Sequence, residues 1–202
     1  GTGAAASAQT VTKILDPPMH YYLRVYFNAF KEIVDEVGGV EVNVENSFTD
    51  YQFPDEKFGV ITVEFESGKQ KLNGERALQY VRSRHALGNE GTDYARARRQ
   101  QKVLSALKKR LLSFDMLLRP KRIKSIAESL SAHIQTNIAF WEGLRFAKLL
   151  RSADDSQIVN RALDATPENG LLVERTYNGA FVLEPKSGNW DEVQELAREL
   201  LN

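Results

Sequence analysis

The chain of 202 residues contains no cysteine, which excludes disulfides, thiolate nucleophiles and cysteine-ligated metals. It has no run of about 18 apolar residues, the length that a membrane-spanning helix requires, and residues 1–6 lack the basic start and apolar core of a signal peptide. Walker-type phosphate loops and the Gly-x-Ser-x-Gly motif of serine hydrolases are missing. The three histidines, His20, His85 and His133, do not have metal-ligand spacing. With these features absent, the charged residues give the main indication of a function.

The net charge is zero, with 27 basic and 27 acidic residues, yet the basic residues are concentrated in one segment. Residues 82–124 contain 13 Lys and Arg against 3 acidic residues, whereas residues 1–81 and 125–202 each contain 7 basic and 12 acidic residues. Segregation this strong is not typical of an evenly solvated surface. It indicates a place where the protein holds an anion.

Hydrophobic periodicity and turn residues predict alternating helices and strands in the first half of the chain. Asn28 can cap a helix that Gly38 and Gly39 terminate. The apolar stripe of this helix consists of Phe30, Ile33, Val34 and Val37. The predicted elements are a helix at 8–15, a strand at 21–27, this helix, strands at 40–44 and 61–65, a short helix at 73–78 and, directly after it, a strand at 80–84.

In the second half, Thr92 or Asp93 can cap a long helix that extends to about residue 112. Further elements are predicted as helices at 120–132, 139–151 and 189–201 and as two short strands at 171–173 and 180–183 that can pair with each other. The alternation predicts an α/β fold in which helices cover a sheet. No linker divides the chain, so we predict a single domain over residues 1–202. Its motif-bearing core lies at 10–112, and a helical part with short strands follows at 113–202.

The predicted strand at 80–84 carries the first group of candidate site residues. Side chains alternate along a strand, so Tyr80, Arg82 and Arg84 should share one face with neighbours about 7 Å apart. Two guanidinium groups at this spacing suit two phosphoryl groups or one pyrophosphate. The less specific alternative is ion pairing of Arg82 and Arg84 with the acidic flanks at the surface.

The helix that follows carries the second group of candidates. Arg96, Arg99 and Gln100 have i, i+3 and i+4 spacing and therefore share a face. That face continues as Val103, Leu107 and Leu111, which indicates that the polar first turns point into the interior or into a cleft. The free N–H groups of the helix start also favour an anion.

Asp93 is the acidic residue among these donors. It can cap the helix, orient an arginine or act as a general base. The remaining basic residues, at 108–110 and 119–124, suit a solvated face or a contact with an anionic membrane surface.

Three stretches, at residues 27–44, 65–85 and 93–101, resemble motifs of the LytR-CpsA-Psr family, and they occur in the family's order. The resemblance covers about residues 10–112. It implies an α/β/α sandwich with a central mixed sheet flanked by helices, held at the outer face of the bacterial membrane. It also implies binding of a polyprenyl-pyrophosphate-linked glycan with Mg²⁺ and transfer of the glycan phosphate to peptidoglycan, in wall teichoic acid or capsule assembly.

The resemblance also implies roles for individual residues of this chain. Asp93 and Arg96 would be catalytic, with Asp93 orienting an arginine or accepting the proton of the acceptor hydroxyl. The pyrophosphate would be bound by Arg82, Arg84, Arg96, Arg99 and Gln100. We expect a family segment with the membrane anchor, the first strands and the metal-binding acids to precede residue 1, so no metal ligand is assigned in this chain.

Alternative functions remain open at this point. Water in place of the acceptor hydroxyl would give a pyrophosphatase on the same lipid, and a non-catalytic envelope or lipid-binding module is a further alternative. A nucleic-acid-binding regulator is the more distant one, because a duplex-binding helix would expose its basic residues instead of placing them on the apolar stripe. We therefore expect no nucleic-acid partner.

Overall fold

The computed structural model describes residues 3–55, 58–113, 121, 134–152, 163, 165 and 170–201. Its contacts divide the chain into two compact units. The terminal unit comprises Gly1–Arg24 and Gln135–Asn202, and the central unit comprises Val25–Ile134. Within the described ranges, no helix is both long enough and apolar enough to cross a bilayer. The single domain over residues 1–202 stays a prediction.

Helices and strands alternate through the described part of the chain, which confirms the α/β class. In chain order the elements are α1 (Gly3–Leu15), β1 (Leu23–Val25), α2 (Phe27–Glu36), β2 (Val40–Val44), β3 (Phe48–Pro54), β4 (Val60–Phe65), β5 (Gly68–Leu72), α3 (Gly74–Arg82), the 3₁₀ helix Gly88–Gly91, α4 (Asp93–Leu111), β6 (Ile134–Thr136), α5 (Phe140–Ser152), β7 (Leu172–Tyr177), β8 (Ala180–Pro185) and α6 (Asp191–Glu199). The strands pair as β1 with β6, β2 with β5, β3 with β4, and β7 with β8.

Helix α2 has the predicted apolar stripe but a different start. It begins at Phe27, with Tyr26 in the cap position and without a side-chain cap, so the prediction that Asn28 caps it was wrong. Its early start also limits the strand predicted at 21–27 to the three residues of β1. At the other end, Gly38 and Gly39 have φ angles of 82° and 88°, which residues with a side chain rarely adopt.

The β-strands of the central unit bury one face in the core. In β2 the pattern alternates, with Val40, Val42 and Val44 buried. Strand β2 pairs antiparallel with β5, and β3 pairs antiparallel with β4. The predicted strands at 40–44 and 61–65 are thus confirmed. The pairing of β3 with β4 shifts register between Asp50 and Phe53.

The strand predicted at residues 80–84 was wrong, because α3 continues through Arg82. Asn73 caps this helix by accepting a hydrogen bond of 2.9 Å from the Arg76 N–H. Gly74 packs so closely on α2 that a Cβ atom there would overlap the carbonyl oxygen of Lys31. Ala77, Leu78 and Tyr80 are buried, so tertiary packing overrides the strand preference of residues 80 and 81. Arg82 and Arg84 therefore do not share a strand face.

Helix α4 begins after Thr92, whose hydroxyl accepts a hydrogen bond of 3.1 Å from the Ala95 N–H. Thr92 is thus the cap, and Asp93 is the first helical residue. Val103 is buried, with Leu107 and Leu111 packed against the same core. The helix lies against β2 and α3. The predicted helix and its core-facing stripe are confirmed.

In the terminal unit, the two predicted short strands are present as β7 and β8, which pair antiparallel. Asn178 and Gly179 connect them with φ angles of 50° and 80°, as a type I′ turn requires. Helix α1 contacts α6, and Arg198 forms an ion pair of 2.8 Å with Asp16. The helices predicted at 139–151 and 189–201 are present as α5 and α6. The helix predicted at 120–132 lies outside the described residues except for Lys121.

Candidate anion-binding site

One carboxylate joins two of the predicted arginines at the start of α4. Oδ1 of Asp93 lies 3.2 Å from Nε of Arg84 and 3.1 Å from Nη2 of Arg96. Of the three roles predicted for Asp93, that of the cap belongs to Thr92 instead, and the orienting and base roles stay predictions. The side chains of Arg84 and Asp93 are more than half exposed. Exposed ion pairs contribute at most about 1 kcal/mol, so an anion with more negative charge can compete for both guanidinium groups.

Arg82 is held by aromatic rings instead of a carboxylate. Its Cζ lies 4.4 Å from the ring centroid of Phe27 and 5.3 Å from that of Phe53. Across the described part of the chain, no carboxylate pairs with this guanidinium. Contacts with ring faces leave the N–H groups of a guanidinium unused. The N–H donors of Arg82 therefore have no acceptor among the residues that the structure describes.

The main chain at Arg84 is fixed by Asp50, a residue that the sequence reasoning missed. The Asp50 side chain is fully buried. Its Oδ2 accepts hydrogen bonds of 3.0 Å from the Arg84 N–H and 3.2 Å from the His85 N–H. The alternation of side chains along a strand could have revealed it. Asp50 is two residues from Phe48 and therefore shares the inward face of β3.

Arg99 serves the fold, which corrects its prediction as a pyrophosphate ligand. The residue is 2% exposed. Its guanidinium donates to the carbonyl oxygens of Tyr80, Ser83 and Glu90 and to the Glu90 carboxylate. These bonds use four of its five N–H groups. Burial lowers the pKa of Arg99, and the adjacent Glu90 opposes this effect. Its donors thus hold the end of α3 and the 3₁₀ helix to α4 instead of facing a ligand.

Gln100 lies on the exposed side of the same helix turn. Its Nε2 donates a long hydrogen bond of 3.4 Å to the carbonyl oxygen of Val81. Arg84, Asp93 and Arg96 are in direct contact, whereas Gln100 bonds to the neighbouring helix. The assignment of a ligand-binding role to Arg82, Arg84, Arg96 and Gln100 stays a prediction.

The described residues do not provide a ligand set for the Mg²⁺ that the resemblance implies. No group of three or more His, Asp or Glu side chains in these ranges lies close enough together to hold a metal ion. Asp50 accepts only main-chain N–H groups, and Asp93 contacts two cations. Neither arrangement suits a divalent cation, which prefers several oxygen ligands. Of the basic cluster predicted at 119–124, only Lys121 lies within the described residues.

Comparisons with known proteins identify similar chains. The family model described as the LytR_cpsA_psr family matches residues 1–199. The polyisoprenyl-teichoic acid–peptidoglycan teichoic acid transferase TagV of Bacillus subtilis is 30% identical over 200 residues, which cover 99% of this chain and 48% of that protein. The crystal structure of B. subtilis TagV superimposes with a TM-score of 0.70 and 28% identity, covering 96% of this chain and 69% of that one.

Another relative, Regulatory protein MsrR of Staphylococcus aureus, is named as a regulator instead of a transferase. It is 33% identical over 144 residues, which cover 68% of this chain and 39% of that protein. The chain thus spans about half or less of the length of these two curated relatives. The names of the relatives describe the whole proteins, of which this chain corresponds to a part.

Proposed function

The chain belongs to the LytR_cpsA_psr family, and from this premise we propose that it takes part in the transfer of a glycopolymer from a polyprenyl pyrophosphate carrier to peptidoglycan. The membership confirms the resemblance inferred from the motifs at residues 27–44, 65–85 and 93–101. The name of TagV states this type of transfer, with teichoic acid as the glycopolymer. The proposal extends that activity to a chain that shares about half of the length of TagV.

The observation that carries the proposal is the cluster of Arg84, Asp93 and Arg96, which is exposed at the start of a 19-residue helix. Two guanidinium groups about 3 Å from one carboxylate oxygen can instead bind two oxygens of a pyrophosphate. The N–H groups of the first turn of α4 add a favourable field for an anion. Arg82, two residues before Arg84 in the sequence, is proposed to donate further hydrogen bonds to the same anion.

In the proposed reaction, an acceptor hydroxyl oxygen attacks the phosphorus that carries the glycan. The new bond is P–O to the acceptor, and the bond to the bridging oxygen of the pyrophosphate breaks. The leaving group is the polyprenyl monophosphate, and the hydroxyl proton passes to a base. Charge accumulates on the phosphoryl oxygens and the leaving group, so the arginines contribute mainly by electrostatic stabilisation.

Asp93 has two possible parts in this reaction. Its Oδ1 holds Arg84 and Arg96 in place, which is an orienting role. A base role would fall to Oδ2, the oxygen that does not form these ion pairs. The arrangement favours orientation, because both arginines approach the same oxygen atom of Asp93.

Hydrolysis of the same bond is a second candidate, and the exposure of the site favours it. Arg84 and Asp93 are 57% and 58% exposed, so water can reach a phosphoryl group bound between them. The products would be the polyprenyl monophosphate and the glycan phosphate. The regulator reading is less favoured, because Arg99 is buried and Arg96 is ion-paired instead of lying on an open basic stripe.

The proposal places the protein outside the cytoplasm, close to the membrane that holds its lipid substrate. Support comes from TagV, whose name gives peptidoglycan as the acceptor. The predicted partners are the polyprenyl-pyrophosphate glycan, the peptidoglycan acceptor and the membrane surface. Mg²⁺ and an anchor preceding residue 1 stay predictions.

Binding of farnesyl pyrophosphate, a soluble polyprenyl pyrophosphate, tests the proposal by calorimetry with and without Mg²⁺. Hydrogen bonds to charged groups contribute about 1.5–3 kcal/mol, so Arg82→Ala and Arg96→Ala should each weaken binding about 10- to 150-fold. Arg175→Ala is the matched control, because this arginine is exposed in the terminal unit and lies 3.9 Å from Glu184. If the unchanged protein and the three variants all bind farnesyl pyrophosphate with equal affinity, the proposed site is contradicted. If the protein instead binds DNA tightly and each substitution weakens that binding to the same extent, a regulator is favoured.

A further inference from the structure

We propose that strand β3, together with Phe27, carries the residues that aim the two arginines of the site. In this inference Asp50 positions the main chain of Arg84, and Phe53 and Phe27 position the guanidinium of Arg82. All three are positioning residues, since each would act through an arginine and none would touch the substrate. The inference rests on the proposed function, and it adds the elements that set the spacing of the pyrophosphate contacts.

Asp50 is a buried carboxylate whose partners are main-chain N–H groups. Besides the bonds from Arg84 and His85, its Oδ1 accepts a hydrogen bond of 3.0 Å from the Gln52 N–H. Burying a carboxylate is costly unless hydrogen bonds satisfy it. Since three charge-assisted bonds do so here, the segment after α3 is tied to β3 at a fixed position. The isolated bridge between Asp50 and Ala86 extends this attachment by one more residue.

The register shift in β3 brings Asp50 and Phe53 to the same side of the strand. In a regular strand, residues three apart face opposite sides. Here Asp50 pairs with Val63 and Phe53 pairs with Ile61, so β3 contains one extra residue relative to β4. Both Asp50 and Phe53 are buried, at 0% and 3% exposure. The bulge thus allows one short segment to contact the backbone of Arg84 and the side chain of Arg82, and bulges often redirect side chains next to functional sites.

Phe27 completes the support of Arg82 from the start of α2. The ring is 55% exposed, yet the Arg82 guanidinium lies over it at 4.4 Å. The attraction between a cation and a ring face contributes about 0.5–2 kcal/mol. Two aromatic contacts restrict the rotamers of a long side chain without using its donors, so a ligand would meet an arginine that is already ordered.

Substitution of Phe27 gives the sharpest test, because the residue is exposed and its variants should fold. Phe27→Leu keeps an apolar side chain but removes the ring, whereas Phe27→Tyr keeps the ring face. With farnesyl pyrophosphate as the probe, we expect Phe27→Leu to weaken binding about three- to tenfold. Phe27→Tyr should stay within about twofold of the unchanged protein. Phe181→Leu, at a residue that is 71% exposed on β8, is the matched control and should not alter binding.

The outcomes separate this inference from the proposed function. If Arg82→Ala weakens binding but Phe27→Leu does not, the positioning role is overturned and the binding site stands. Equal losses in Phe27→Leu and Phe27→Tyr would also overturn it, because the ring face would then be irrelevant. Absence of binding by the unchanged protein would overturn both.

Asp50→Asn tests the second part of the inference, the positioning of the Arg84 main chain by Asp50. An Asn side chain has one acceptor oxygen and an NH₂ group, so it cannot accept hydrogen bonds from both Gln52 and the Arg84–His85 pair. We expect faster amide hydrogen exchange at Arg84 and His85 and weaker binding of farnesyl pyrophosphate. Unchanged exchange together with unchanged affinity would overturn the role of Asp50. If this buried variant does not fold, the Phe27 series still decides the part of the inference that concerns Arg82.

Discussion

Nε of Arg99 donates a hydrogen bond of 3.0 Å to the carbonyl oxygen of Tyr80. This bond joins the first turns of α4 to the last turn of α3, where main-chain carbonyl groups have no acceptor role within the helix. The ring of Tyr80 lies in the core beside Phe48 and Phe65. An arginine of the family motif at residues 93–101 thus satisfies main-chain carbonyl groups at the end of a helix.

Substitution of Arg99 should reduce stability strongly. Arg99→Met removes every donor, leaving three carbonyl oxygens and the Glu90 carboxylate without this partner. Breaking a buried charge pair by removing one member costs about 3–5 kcal/mol. Urea denaturation measures the loss, and Arg98→Ala, at an exposed neighbour, should change stability by less than about 0.5 kcal/mol. If the Arg99→Met protein is stable but does not bind farnesyl pyrophosphate, Arg99 would instead be a ligand-binding residue.

Tyr80 should make the protein sensitive to alkali. Burial raises the pKa of this phenol, and the nearby Arg99 partly opposes the effect. A raised pKa in the folded state means that the contribution to stability is complete below about pH 10 and is lost as the pH rises through the folded pKa. Tyr80→Phe removes this titration, so its free energy of unfolding should fall less than that of the unchanged protein as the pH rises above about 10. Parallel pH profiles would contradict the assignment.

Two helical glycines should respond in opposite directions to alanine. Gly74→Ala would drive a methyl group into the main chain of α2 at Lys31, and overpacking of this kind costs about 1–3 kcal/mol. At Gly143 in α5, nothing lies within 4 Å of an added Cβ atom. Gly143→Ala should therefore stabilise the protein by about 0.5–1 kcal/mol through helix propensity. Thermal unfolding of both variants checks the pair, and stabilisation by Gly74→Ala would contradict the close packing of α3 on α2.

Asp93→Asn should separate anion binding from transfer. The substitution removes a negative charge about 3 Å from Arg84 and Arg96, so affinity for farnesyl pyrophosphate should rise, by about three- to tenfold. The thermal midpoint should change little, because exposed ion pairs contribute at most about 1 kcal/mol. Transfer from a lipid-linked glycopolymer should fall, since the arginines lose their orienting partner. Weaker binding by Asp93→Asn would contradict this account and place the carboxylate among the ligand contacts.

Local patterns predicted the elements whose periodicity and turn residues agree. Helix α2 and strand β2 follow from apolar spacing and from Gly38 and Gly39. The strand predicted at 80–84 failed because Tyr80 and Val81 favour strands as isolated residues, whereas Gly74 allows the segment to pack on α2 as a helix. The contact that stabilises the helix joins α3 to Lys31 on α2. Lys31 is too far away in the sequence for a prediction from neighbouring residues to include it.

For the same reason, the sequence predicted only part of the arrangement around the candidate site. Charge and spacing identified Arg84, Asp93 and Arg96, which lie within 13 residues of one another and meet at the start of α4. The polar face of α4 correctly indicated that Arg99 points inward, but its acceptors lie 9 to 19 residues away. Asp50 binds the main chain of Arg84 from 34 residues away in the sequence, and it lies outside the motifs that identified the arginines. Long-range hydrogen bonds therefore decide which of the predicted arginines have their donors engaged within the fold.

The extra residue in β3 has a consequence for how this segment can vary in length. Tyr51 and Gln52 are exposed, so their side chains can be exchanged with little effect on packing. Deleting either one would restore a regular strand in which Phe53 follows Asp50 by two residues, so that both side chains would still face the same side. The segment should therefore tolerate substitutions at these two positions and also the loss of one of the two residues.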